Sequence, residues 1–146
     1  MNLLRIAALV FTALSLVPGG AHLFELPGKI GLDRSDYFTV QAIYAGWALF
    51  AIPIFLAILA NATLFVRLRR ADRIAARWAL SAALLILVSL AIFFARVFPA
   101  NQATRNWTFM PADWEALRAA WEYGHAINAV LVFLAFVATS IAVVRR

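Results

Sequence analysis

The sequence contains no cysteine and few charged residues. Of its 146 residues only 14% are charged and seven are Asp or Glu, whereas 65% are hydrophobic. The absence of cysteine excludes disulfides, thiolate zinc sites, iron–sulfur clusters and thiol nucleophiles. Because an ordinary soluble domain has roughly 45–50% apolar residues, the few polar side chains here could not cover a water-facing surface. The composition predicts an integral membrane protein with a single domain, residues 1–146.

Four apolar stretches are long enough to cross a bilayer core of roughly 30 Å. They run over residues 3–24, 40–66, 78–97 and 119–144. Each stretch is expected to be a transmembrane helix, and the connections between them are short. The sequence therefore predicts an all-α fold, a four-helix bundle in up-down-up-down order.

Most of the positive charge lies at one set of helix ends, and the opposite ends are nearly balanced. By the positive-inside rule this predicts a multi-pass protein of the plasma (inner) membrane with both termini in the cytoplasm. The net charge of +6 is then a signal of topology, and no nucleic-acid partner is expected. The Ala- and Arg-rich composition is typical of a GC-rich bacterium. The arginines at the cytoplasmic ends are Arg5, Arg67, Arg69, Arg70, Arg73, Arg77, Arg145 and Arg146.

Residues 1–21 allow a second interpretation, that of a signal peptide cleaved after Ala21. Arg5 would form a weak basic region, and the apolar core before Pro18 is short, as in such peptides. Cleavage would leave three spans and place the new amino terminus outside. We expect the stretch to remain as the first helix of the bundle.

The only two histidines each share a helical turn with a glutamate. His22 comes three residues before Glu25, and His125 comes three residues after Glu122, so each pair lies on one helix face. A rise of about 1.5 Å per residue, counted from the cytoplasmic arginines, places both pairs near the outer membrane surface. Ionisable residues in such positions usually face the bundle interior and mark function. Three further polar residues are expected at the same level, namely Arg96, Gln41 and Tyr44.

A structural interpretation competes with the functional one. Long polar side chains at the membrane boundary can reach the headgroups, and the tryptophans could form an interfacial aromatic belt. Any one of these residues fits that interpretation, but the whole set, with both histidines, favours a functional site.

Three chemistries remain open for the cluster. A ferritin-type di-iron site needs carboxylates from all four helices, which helices two and three do not supply, although a single metal ion could bind to His22, His125, Glu25 and Glu122. A haem between the two histidines is a second option. The third needs no cofactor: a His/Glu pair acts as general base while Arg96, Gln41 or Tyr44 stabilises the resulting anion.

Residues 99–128 resemble the anthrone-oxygenase-like family, small four-helix membrane proteins often described only as a domain of unknown function. The family's Pro-x-Asn after the third helix is matched by Pro99 and Asn101. The chain has Asn128 where the family often has Arg. The family's later pattern, a Trp, then Leu-Arg or Leu-Asn, then Trp and His, is matched at similar spacing by Trp114, Leu117, Arg118, Trp121 and His125.

The resemblance implies an oxygenase that acts on a lipophilic, aromatic or quinone-like compound without a cofactor. His125 or His22 would be the base, oriented by the glutamate of its own turn, and Arg96 would hold the anion. Asn101 and Trp121 lie in the matching stretch and join the expected substrate contacts. The alternative functions are a non-enzymatic membrane subunit or ligand-binding protein, and a haem or metal redox protein. A homo-oligomer is compatible with the sequence.

Overall fold

The computed structural model describes residues 1–145, and this part of the chain is helical without a β-strand. Two 3-10 turns, Ala42–Tyr44 and Trp47–Phe50, lead into the third helix, and a π-helical turn, Phe93–Val97, joins the fourth to the fifth. The α-helices are α1 (Asn2–Lys29), α2 (Arg34–Gln41), α3 (Ala51–Leu68), α4 (Arg73–Ile92), α5 (Phe98–Ala103) and α6 (Trp114–Val144).

Four helical segments are long and apolar enough to cross a membrane. They are Asn2–Lys29, Trp47–Leu68, Arg73–Ala103 and Trp114–Val144. The predicted all-α fold with four apolar spans is therefore confirmed. The bundle also exposes large apolar side chains along its sides, such as Phe55, Leu59 and Phe133. A protein surface of this kind suits lipid and not water, as expected for a multi-pass membrane protein.

The second span begins later than the predicted residue 40. Helix α2 ends at Gln41, and Gly46 adopts a φ of 85°, a left-handed conformation that glycine tolerates and a continuing helix does not. Gln41 therefore belongs to α2, and Tyr44 lies in a 3-10 turn outside α3. The expectation that both residues sit on the second transmembrane helix was wrong, because a local pattern of apolar residues does not reveal a single left-handed glycine.

The other spans are longer than predicted. Helix α1 passes through Pro27 and ends at Lys29, α6 already begins at Trp114, and the third helical segment continues to Ala103. A proline removes one backbone donor, and in apolar surroundings the other backbone groups gain most by remaining in the helix. The extra turn of α1 carries Lys29 into the bundle, which matters for the site described below.

The first and last transmembrane helices run in opposite directions. The rings of His22 and His125 are in contact, and a Cβ added at Gly19 would lie 3.2 Å from the Cα atom of Ala129. Of these two contacts, the one closer to the start of α1 is therefore the one closer to the end of α6. This relation is consistent with up-down-up-down order.

A layer of neutral polar side chains lies in the interior of the bundle. We name Asn61, Thr12 and Thr139 the asparagine layer. The Asn61 amide nitrogen donates to Thr12 Oγ1 (3.1 Å) and to the carbonyl oxygen of Ala57 (3.0 Å). The Thr139 hydroxyl donates to Asn61 Oδ1 (3.0 Å). The layer joins α1, α3 and α6, and buried alanines fill much of the space around it.

Candidate functional site

The centre of the candidate site is Lys29, the only lysine of the chain. It ends α1 and is buried. Its ammonium nitrogen lies 3.0 Å from Glu122 Oε1 and donates to the Tyr44 hydroxyl at 2.7 Å. The same nitrogen lies 4.4 Å from the ring centre of Tyr44 and 4.6 Å from that of Trp121. A carboxylate and aromatic faces together stabilise a cation that has left water.

Two tyrosines between the first and second spans donate hydrogen bonds to the glutamates. The Tyr37 hydroxyl donates to Glu122 Oε1 at 3.0 Å, and the Tyr44 hydroxyl donates to Glu25. Burial, followed by the neighbouring Glu122, raises the pKa of Tyr37 above its usual range. Burial, followed by the hydrogen bond to Glu25, does the same to the pKa of Tyr44. Both phenols therefore stay protonated and act as donors at neutral pH.

The two histidines stack on each other beside this ion pair. The ring centres of His22 and His125 are 4.0 Å apart, with 30° between their planes. Trp121 lies edge-on to both rings, with its centre 4.8 Å from His22 and 4.3 Å from His125. The rings of Tyr44 and Trp47 pack on the other sides of His22, at 4.6 and 5.3 Å. The histidines thus sit within an aromatic shell, at the end of the bundle that holds Lys29.

The expected coupling of each histidine to the glutamate of its own turn is absent from residues 1–145. Glu122 bonds to Lys29 and Tyr37, and Glu25 bonds to Tyr44. A helical turn brings the His and Glu residues to one face, but the buried Lys29 ammonium group attracts the Glu122 carboxylate more strongly than a neutral imidazole does. Glu25 accepts from the Tyr44 hydroxyl instead.

Asn101 fixes the aromatic wall. Its side-chain oxygen accepts hydrogen bonds from the indole nitrogens of Trp121 (2.8 Å) and Trp107 (3.1 Å). One amide therefore links the end of the third helical segment to the outer loop and to α6. Asn101 and Trp121, both expected as substrate contacts, are brought together, and Trp121 is the one that touches the histidines.

Arg96 and Gln41 occupy different environments. Arg96 lies in the π-helical turn beside α6, where a Cβ added at Gly124 would be 3.3 Å from its Cβ, but its side chain is exposed. Within residues 1–145 the Arg96 guanidinium makes no salt bridge or side-chain hydrogen bond. Gln41 is buried, and its amide lies close to the Tyr37 hydroxyl. Of the predicted anion-binding residues, Gln41 and Tyr44 join the cluster and Arg96 stays outside it.

Several buried polar atoms of the cluster have no hydrogen-bond partner within the described chain. They include His22 Nδ1, Glu122 Oε2 and both amide atoms of Gln41. A buried polar atom without a partner costs about 1–3 kcal/mol, and folded proteins keep few of them. These atoms are therefore able to bond to a ligand or to water, and His22 Nδ1 and Glu122 Oε2 are also potential proton acceptors.

The arrangement fits the proposed metal and haem groups poorly. No group of three or more His, Asp or Glu side chains in residues 1–145 is arranged to hold a metal ion. A haem between the histidines would need both rings to point at its iron from opposite faces of the macrocycle. Because His22 and His125 stack closely, the rings would have to separate before a haem could bind.

Sequence reasoning missed two residues of the cluster, Lys29 and Tyr37. A signal for Lys29 existed: it is the sole lysine, and it follows Glu25 by four residues and His22 by seven, which is one helix face. The prediction that the first span ends at residue 24 hid this relation. Tyr37 offers no comparable signal, because its position depends on how the loop after α1 folds over the bundle.

The chain matches no protein-family model, no curated protein and no solved structure at a significant level.

Proposed function

We propose that the cluster is the active site of a membrane oxygenase or related oxidoreductase that acts on a lipophilic aromatic or quinone-like compound. A flat, apolar compound with an acidic C–H bond partitions into a bilayer and suits an aromatic shell around histidines. The resemblance to the anthrone-oxygenase-like family suggests this reaction. The main structural support for it is His22 Nδ1, a buried imidazole nitrogen without a hydrogen-bond partner in residues 1–145, which lies in the same cluster as a buried ammonium group.

In the proposed reaction, a histidine removes a proton from the methylene carbon of an anthrone. His22 is the favoured base because its Nδ1 is unpartnered, and His125 stacks against it. General-base catalysis of this kind contributes typically 10²–10⁴-fold to a rate. The delocalised carbanion then reacts with oxygen: one oxygen atom forms the new carbonyl group, the other leaves as water with the two methylene hydrogens, and an anthraquinone results.

Lys29 is a better candidate than Arg96 for holding the carbanion. The Lys29 ammonium group is buried within the aromatic shell, and Glu122 at 3.0 Å and the Tyr44 hydroxyl at 2.7 Å orient it. Preorganised charge in a site without water stabilises a developing anion far better than an exposed charge. Because Arg96 is exposed, we assign to Lys29 the role of holding the anion that the sequence predicted for Arg96.

The test is oxygen consumption by the purified protein in mild detergent with an anthrone, corrected for spontaneous oxidation. We expect His22→Ala and His125→Ala to lose turnover while the helical content is retained. Lys29→Met and Arg96→Met form a matched pair, since each removes one cation near the same end of the bundle. A loss in Lys29→Met with little change in Arg96→Met supports the assignment. Turnover that survives in both histidine variants would refute the proposed reaction.

A second candidate function is a non-enzymatic membrane subunit or ligand-binding protein. It is favoured by one observation: the fully buried Glu122 joins Lys29 of α1 and Tyr37 of α2 to α6. A cluster that serves only to fasten helices predicts that His22→Ala and His125→Ala lower the thermal stability and leave no catalytic function to lose. An absorption spectrum and elemental analysis of the purified protein test the third candidate, a haem or metal redox protein.

We also propose that the cluster faces the outside of the inner membrane and that both termini are cytoplasmic. Support comes from the arginines around the turn between α3 and α4, where Asp72 lies 3.6 Å from Arg145 at the end of α6. Because the chain has no cysteine, single-cysteine variants report topology cleanly. Ala112→Cys should react with an impermeant maleimide in intact cells, and Ala71→Cys should react only after lysis. The reverse labelling would invert the proposed topology.

A further inference from the structure

A groove in the side of the bundle lies next to the candidate site. It has a volume of about 500 Å³ and runs between Leu14 of α1 and the segment that precedes and begins α3. Its walls are apolar, with Phe50 and Pro53 on one side. The groove is open, and it lies where the second span begins.

One side chain connects this groove to the histidines. Trp47 lines the groove, and its ring centre is 5.3 Å from that of His22 and 5.7 Å from that of Phe50. Trp47 also packs on Tyr44 at 4.9 Å. Trp47 therefore contacts both the groove and His22, whose Nδ1 has no hydrogen-bond partner within residues 1–145.

The backbone is broken at the same place. Ala45 is extended and Gly46 is left-handed, so the chain is not helical where it lines the groove. This break directly precedes the second span, which begins at Trp47. Non-helical backbone therefore lines the groove next to the residue that contacts His22.

Another side of the cluster is covered. Helix α2, the loop before α6 and the first residue of α6 place a packed group of buried aromatic residues there: Tyr37, Phe38, Trp107 and Trp114. A compound that approached from this side would have to displace the whole group, whereas the groove is lined by Trp47, which contacts His22.

We infer that the groove is the lateral route by which a planar lipophilic substrate passes from the bilayer to His22, with Trp47 as the movable wall. The inference rests on the proposed function, and it adds that the substrate reaches the site from the bilayer and not from water. The groove's apolar walls bind the flat ring system, and the polar cluster beyond Trp47 receives its oxygen-bearing edge.

The test measures binding without oxygen, so that no turnover is needed. The protein is placed in phosphatidylcholine nanodiscs, and 1,4-naphthoquinone is titrated while the quenching of tryptophan fluorescence is followed. Ala45→Phe fills the groove. Its matched control is Ala48→Phe, because Ala48 is also exposed but does not line the groove. Leu14→Phe narrows the groove from the other wall.

We expect saturable quenching in the wild type, about tenfold weaker binding in Ala45→Phe and Leu14→Phe, and less than a twofold change in Ala48→Phe. The variants are compared only where circular dichroism shows the wild-type helical content, and Leu14→Phe decides the question if Ala45→Phe does not fold. Equal binding by the groove variants and the control, or no saturable quenching in the wild type, overturns the inference.

Two further results separate the inference from the proposed reaction. If quinone binding follows the groove variants but an anthrone is not oxidised, the route stands and the reaction is wrong. If the anthrone is oxidised at the wild-type rate by Ala45→Phe and Leu14→Phe, the reaction stands and the route is wrong. A lipid chain as the permanent occupant predicts that phosphatidylcholine with brominated chains quenches the fluorescence and that naphthoquinone does not relieve this, which also overturns the inference.

Discussion

The bundle contains two buried polar regions that are built on opposite principles. In the asparagine layer, the amide nitrogen and oxygen of Asn61 are bonded and no group carries a charge. In the cluster around Lys29, a buried ion pair of Lys29 and Glu122 lies beside stacked histidines, and several polar atoms have no partner within residues 1–145. A hydrogen-bond network in which every group is bonded stabilises the packing of the helices. Buried charged or polar groups without partners instead lower the stability of the folded state.

The two regions therefore differ in role: the asparagine layer packs the helices together, and the cluster around Lys29 is the candidate functional site. Proteins tend to break the rules of polar satisfaction where function requires it and compensate elsewhere in the fold. The asparagine layer obeys those rules in the interior of the bundle. The cluster around Lys29 breaks them within an aromatic shell and next to a groove. Four substitutions test this difference, from the largest to the smallest expected effect on the free energy of unfolding.

Glu122→Ala should have the largest effect. It leaves the buried Lys29 ammonium without its carboxylate, and breaking a buried pair in this way costs about 3–5 kcal/mol. The measurement is thermal or denaturant unfolding in detergent. The matched control is Glu115→Ala on the same helix, where the side chain is exposed and a change within about 0.5 kcal/mol is expected. Equal effects of the two substitutions would show that the ion pair does not stabilise the bundle.

Asn61→Ala should have an intermediate effect. It removes the bonds to Thr12 and Thr139, and hydrogen bonds between membrane helices average about 0.6 kcal/mol each, with a maximum near 1.7. A loss of about 1–3 kcal/mol is therefore expected, including the small cavity that remains. Thr63→Ala on the same helix is the control, since Thr63 bonds only to its own helix at Leu59. Any oxidation of an anthrone should survive in Asn61→Ala, and its loss would mean that the asparagine layer is part of the site.

His22→Phe should have a small effect on stability and a large one on function. The phenyl ring can still stack on His125 and Trp121, and removing an unpartnered buried polar atom can be nearly neutral. A change of about 1 kcal/mol or less is expected, together with a fall in turnover of about 100-fold or more. If unfolding shifts as much as in Glu122→Ala, His22 is a structural residue and the contrast between the two regions fails.

Asp72 should have the smallest effect, and it depends on pH. Its carboxylate accepts bonds from the backbone nitrogens of Ala75 and Ile74 at the start of α4, and these bonds, the Ala75 bond foremost, lower its pKa below the usual 3.8. A lowered pKa means that the charge stabilises the folded state above the unfolded pKa and that this contribution is lost as the pH falls through the folded pKa. Unfolding of the wild type and of Asp72→Asn, followed from pH 6 to pH 3, should therefore converge at the acid end. A difference that grows towards low pH would contradict the assignment.

The sequence predicted the spans and half of the cluster for clear physical reasons. Apolar length fixes which segments cross a membrane, and helical spacing brings His22 and His125 to one level. It failed where a single backbone conformation decides the path of the chain. Gly46 moves Tyr44 out of the second helix, and the continuation of α1 through Pro27 brings Lys29 inside. Hydrogen-bond partners could not be predicted either, because the choice of Glu122 between His125 and Lys29 depends on the packing of three helices.

The most direct test of the difference between the two regions is the rate of oxygen consumption with an anthrone, measured for the wild type, His22→Phe and Asn61→Ala at equal amounts of folded protein. We expect oxidation above the spontaneous rate in the wild type and in Asn61→Ala, and the spontaneous rate alone in His22→Phe. Oxidation by His22→Phe at the wild-type rate would contradict a catalytic role for His22.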